Sequence, residues 1–137
     1  MATSTTIKDV REALANAVKS VRGLDRCTPY LPEQVNPPQA FIRLAVDYDL
    51  VMGRNGDTYN YTVVVIVSRT PDRASQALLD SICEPSGDTS LKTVVEADTA
   101  LADLVDDVIV KSASDLRSIP IGAVDYLGIE FDVEVNY

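Results

Sequence analysis

The chain begins with an apolar stripe at helical spacing. Ile7, Val10, Leu14, Val18 and Val21 recur every three or four residues, with Lys8, Arg11, Glu12 and Lys19 largely off the stripe. This predicts an amphipathic helix over residues 5–22. Thr5 or Thr6 can cap its N-terminus, Asp9 sits in the first turn, and Gly23 reads as the stop. Between 23 and 38 the prolines 29, 32, 37 and 38 exclude helix and predict a stiff, extended connector.

Alternation then takes over. Ile42, Leu44, Val46, Tyr48 and Leu50 fall on one side, Phe41, Arg43, Ala45, Asp47 and Asp49 on the other, as in a half-buried antiparallel strand. Asn55-Gly56 is a hairpin signal leading into a second strand from Thr58 to Arg69. Its stretch Val63 to Val67 is continuously apolar, which requires cover on both faces. Thr70 and Pro71 suit the start of a helix whose core face is Ala74, Ala77, Leu78 and Ile82, ended by Pro85.

Ser90 caps a further helical stretch, SLKTVVEADTALADL, anchored by Leu91, Val94, Val95, Leu101 and Leu104. A strand around Val108, Ile109 and Val110 follows, then a polar loop through Ser118, Pro120 and Gly122. From Leu127 the alternation is strict: Leu127, Ile129, Phe131, Val133 and Val135 on one face, Gly128, Glu130, Asp132 and Glu134 on the other. The expectation is one α+β domain over residues 1–137, an antiparallel or mixed sheet of about four strands with helices packed on one face.

Composition narrows the function. At 137 residues and 46% hydrophobic, the chain can bury about 68% of the surface it exposes when unfolded. Twelve basic residues against 21 acidic ones give a net charge of -9, the wrong sign for a general nucleic-acid binder. No apolar run is long enough to span a membrane, and MATSTTIKDV has no secretory h-region. The absence of His removes His-based triads, Cys-His dyads and His-ligated zinc. Cys27 and Cys83, without CxxC spacing, read as reduced thiols. No cofactor motif occurs, and an enzyme is not expected.

Several clusters carry two readings. Asp47 and Asp49 share a strand face and could hold a hard cation, but a solvated or interface-facing strand explains them better. Arg54-Asn55-Gly56-Asp57 lacks the spacing of a calcium loop and reads as a hairpin tip able to order against a partner. Asp103, Asp106 and Asp107 could form an acid-base pair, though a solvated helix end accounts for them. Glu130, Asp132 and Glu134 form an acidic ribbon, either edge protection or a negative wall. Tyr59, Tyr61, Tyr126 and Tyr137 offer contact surface or core packing.

In layout the chain resembles the tail terminator, or tail-completion, proteins of long-tailed non-contractile bacteriophages. VREALANAVKSVRG through NPPQAFIRL, YTVVVIVSRTPDRASQALLDSI, and LADLVDDVIVKSASDL through YLGIEFDVEVNY carry that resemblance. It implies a six-fold ring of this chain at the head-tail junction of the virion. The ring would cap the tail-tube protein, stop its polymerisation and dock to a head-completion or connector protein while genome DNA passes without specific binding. A heterologous ring contact needs two different patches on each subunit. One is expected along Asp47, Asp49, Arg54, Asn55, Asp57, Tyr59 and Tyr61, the other on a helical side, with Glu130, Asp132 and Glu134 facing the lumen. The alternatives are another phage neck or tail-tube ring protein, or a small cytoplasmic ligand-binding or regulatory α+β module.

Overall fold

The computed structural model describes residues 6–21, 24, 26–31, 38–47, 58–68, 73–87, 90–105 and 107–136. Helix α1 spans Ile7–Lys19. It starts with a capping box: Thr6 Oγ1 accepts the Asp9 N–H at 3.2 Å, and Asp9 Oδ2 accepts the Thr6 N–H at 3.4 Å. Val10, Leu14 and Val18 are buried together, as the spacing predicts. The expected stop at Gly23 lies outside the described residues.

Strands β1 (Cys27–Thr28), β2 (Gln39–Asp47) and β3 (Thr58–Ser68) follow, then helices α2 (Arg73–Ile82), α3 (Leu91–Glu96) and α4 (Thr99–Leu104). Strands β4 (Asp107–Ala113), β5 (Arg117–Ile121) and β6 (Val124–Asn136) complete the chain. The strands form one six-stranded mixed sheet in the order β1-β2-β3-β6-β4, with β5 also paired to β6. Only β1 and β2 run parallel. Strand β6 is shared along its length: β4 pairs with its C-terminal half and β5 with its N-terminal half.

The sheet therefore has two strands beyond the expected four. One is β1, inside the Pro-rich connector. The other is β5, where a polar loop was predicted. Pro120 misled that reading, yet an edge strand tolerates a residue with no N–H to donate. Ile119 is buried from this strand. Gly122, at φ 63, begins the two-residue turn between the paired Ile121 and Val124, a position that favours glycine. The Asn55-Gly56 tip lies outside the described residues, but the β2–β3 pairing it predicts is present, from Gln39 opposite Ile66 to Asp47 opposite Thr58.

The single helical stretch after Ser90 is two short helices. Ala97 ends α3, and Asp98 caps α4 by accepting the Leu101 N–H at 2.8 Å. In α2 the buried residues are Leu79 and Ile82, whereas Ala74 and Ala77 are exposed and Leu78 is half-buried. The expected start at Thr70 and Pro71 lies outside the described residues.

All four helices contribute to one core cluster, against Ala40, Ile42, Val63, Val65, Ile129, Phe131, Val133 and Val135 of the sheet. A smaller cluster of Phe41, Val64, Ile66 and Ile119 occupies the opposite face, flanked by Ile121 and Tyr126. This explains the unbroken apolar run in β3, whose odd and even positions serve different clusters. Among the described residues no helix is long and apolar enough to cross a membrane.

Candidate interaction surfaces

The face of the sheet opposite the helices carries a stripe of ion pairs. Glu130, at the centre of β6, is fixed first by its backbone: its N–H donates to Ser114 Oγ at 3.0 Å, and its carbonyl accepts the Ser114 N–H at 2.8 Å. These two bonds bridge the break between β4 and β5. The Glu130 carboxylate pairs with Arg43 of β2 and, at 3.6 Å, with Arg117 of β5. Further along, Asp132 Oδ2 accepts from Ser112 Oγ at 3.3 Å, and Lys111 lies 3.8 Å from Glu134. A register shift between Val110 and Ser112 lets two successive residues of β4 reach acids of β6.

The acidic ribbon is thus a balanced stripe, with Glu130, Asp132 and Glu134 set among Arg43, Arg117 and Lys111 as cross-strand partners. The acidic tail alone suggested a negative wall because its cations come from three other strands.

The other predicted surface is only partly described. Asp49, Arg54, Asn55 and Asp57 lie outside the described residues, and Asp47 is placed by backbone alone, opposite Thr58. Tyr59 is half-buried against the main core. Tyr61 is a correction: it is 1% exposed, in register between Leu44 and Val133 on the helix-covered face, and so packs the core of the subunit. Of the three aspartates weighed for catalysis, Asp103 and Asp107 are exposed and Asp106 lies outside the described residues. No group of three His, Cys, Asp or Glu side chains suited to a metal ion occurs among the described residues.

Both cysteines are free thiols at different edges of the sheet, Cys27 in β1 and Cys83 beside β4. Cys27, in the edge strand β1, is pushed up to about 12 by burial, with Lys19 pulling the other way. Cys83, after α2, is raised by partial burial and then by the carboxylates of Asp80 and Glu84.

Two surface features escaped the sequence reading. The first is a groove between α2 and the β4–β5 junction. Its lobes, about 300 and about 190 Å³, share Cys83. The second is the pair Tyr30 and Leu31 beside β1, 51% and 63% exposed. Two apolar residues between Pro29 and Pro32 were the available signal, since a stiff connector cannot fold them inward. No protein-family model and no curated protein matches the chain.

Proposed function

We propose that the protein is a structural ring subunit of a phage tail, a terminator that caps the tail tube, stops its polymerisation and presents the head-docking surface. The observation that carries this reading is the two-sided subunit: the described helices lie on one face of the sheet, and the other face bears a small apolar cluster beside a stripe of paired charges across β2, β6, β5 and β4. A ring subunit must offer unlike surfaces to its two neighbours and to the axis, and this architecture supplies unlike surfaces.

Facing a lumen, Glu130, Asp132 and Glu134 would act together with their cations. A stripe with no surplus positive charge gains nothing from counterion release, so duplex DNA would pass without being held. This supports the same outcome as a negative wall by a different route.

The decisive experiment mixes the protein with polymerising tail-tube protein and follows tube length by electron microscopy, with solution mass measured by light scattering. Arrested tubes bearing a terminal ring are expected. Tubes that elongate unchanged would sink the reading. A persistent monomer whose melting temperature rises with a small molecule would favour the ligand-binding module.

A further inference from the structure

We propose that copies of this chain associate head to tail, the Tyr30–Leu31 knob beside β1 of one copy seating in the groove between α2 and the β4–β5 junction of the next. The inference deepens the ring reading and rests on it for closure of the contact into a ring.

The knob is both exposed and held in place. The Arg11 guanidinium lies 4.7 Å from the Tyr30 ring centroid, and its Nη1 donates to the Pro29 carbonyl at 3.0 Å. Thr28 Oγ1 donates to the Tyr30 carbonyl at 2.7 Å. A patch ordered in the free subunit gives up little freedom on docking.

The groove answers it in shape and charge. Leu79, Leu116 and Ile129 line its larger lobe, with Asp80 and Asp115 at the same lobe. At about 300 Å³ that lobe is at the small end for a ligand site and suits a few side chains. Leu116 is itself 41% exposed. Arg11 stands at the knob, and neither it nor Asp80 nor Asp115 has an ion-pair partner among the described residues. In the second lobe, Lys92 and Lys111 are already paired with Glu96 and Glu134. Among the described residues the charge without an ion-pair partner is therefore that of Arg11 at the knob and of Asp80 and Asp115 at the groove.

That polarity argues for a second copy as the occupant. Two chains of net charge -9 repel overall, and a contact that sets Arg11 against Asp80 and Asp115 offsets the repulsion. Strand β1 ends one side of the sheet, and β4 with β5 forms the other. A chain cannot seat its own knob in its own groove, so the contact is heterologous and repeats from copy to copy.

Sedimentation velocity over a concentration series tests it. The unmodified protein should self-associate, and Leu31→Asp and Leu116→Asp should each weaken association about tenfold or more. Both positions are exposed, and thermal melts by circular dichroism will show that the variants remain folded. For orientation, Leu31→Cys oxidised at alkaline pH should give a reducible ladder through native Cys83, absent in Leu31→Cys/Cys83→Ser. A wild type that stays monomeric at every concentration, association indifferent to Leu31→Asp, or cross-links that survive Cys83→Ser would each overturn the contact. Tube capping by a chain monomeric off the tube would leave the terminator reading standing without this contact. A Cys83-dependent ladder from a chain that never arrests tubes would uphold the contact and remove the terminator.

Discussion

Glu96 accepts the Val110 N–H at 3.0 Å, so a helix side chain takes the place of a neighbouring strand at the edge of the sheet. Lys92, one turn earlier, holds the Glu96 carboxylate at 2.7 Å and reaches the Val110 carbonyl at 3.4 Å. The pair supplies an acceptor and a donor to one residue of β4, in the way a further strand would. Unpaired strand edges recruit other chains, and this device covers β4 at its buried residue.

Replacing Glu96 with Ala leaves the Val110 N–H without its acceptor. The expected loss is about 1–2 kcal/mol in urea unfolding. Glu96→Gln, which keeps an acceptor, should lose less. Static light scattering at elevated temperature should show earlier aggregation for Glu96→Ala, and unchanged onset would refute the edge-cover role.

Gly128 sits where β6 is clasped between β3 and β5, opposite both Ile66 and Arg117. A Cβ there would lie 2.2 Å from the Val65 carbonyl oxygen and 3.0 Å from Ile119 Cδ1. The nearer obstacle is backbone, which no rotamer change removes. Gly128→Ala should therefore cost about 3 kcal/mol in denaturant unfolding, at the upper end of ordinary overpacking. A near-neutral result would mean that β3 and β6 are spaced differently.

Glu130 pairs with arginines that are 54% and 53% exposed, while its own side chain is 22% exposed. Solvent screening limits such pairs, so a double-mutant cycle on Arg43→Ala and Glu130→Ala should give a coupling below about 1 kcal/mol. It should shrink further with added salt. Charge reversal has a larger consequence for function. The combined variant Glu130→Lys, Asp132→Lys, Glu134→Lys leaves Arg43, Arg117 and Lys111 beside three new lysines. Fluorescence anisotropy should then detect salt-dependent duplex binding that the unmodified protein lacks.

Cys27 links stability to alkaline pH. Its ordinary thiol value of 9.0 applies to the unfolded chain, and burial lifts it to about 12 in the fold. Above pH 9 the unfolded state loses the proton that the folded state retains, so stability present below pH 9 falls as pH rises toward 12. Cys27→Ala should flatten that part of the melting-temperature profile relative to the unmodified protein. A parallel decline in both would assign the alkaline loss to other groups. By the same reasoning iodoacetamide should label Cys83 ahead of Cys27, since thiolate and access both favour the exposed residue.

Local periodicity carried much of the fold. The stripe from Val10 to Val21 and the alternation from Ile129 to Val135 each bury one face, while Ile7 and Leu127 at the ends of the expected patterns are half-buried. Where local cues competed, the reading slipped. Asp98 was available as a cap, yet the apolar spacing across it suggested a continuous helix. Ala74 and Ala77 matched the stripe of α2, but Leu79 buries more apolar surface and takes the core position.

The candidate surfaces were less legible because their members meet only after folding. Arg43, Arg117 and Glu130 come from three strands, and nothing in an acidic run states which cations will stand beside it. Tyr61 looked like contact surface because alternation defines a face without saying which one the helices cover. The sequence by itself determined α1, β2, β3, α2, β4 and β6, since helix and strand periods are properties of neighbouring residues. Tertiary structure decided that Pro120 sits in an edge strand, that Glu96 covers β4, and that cations from three other strands stand beside the acidic ribbon. Each depends on the register and order of strands, and that order follows from packing both faces of the sheet at once.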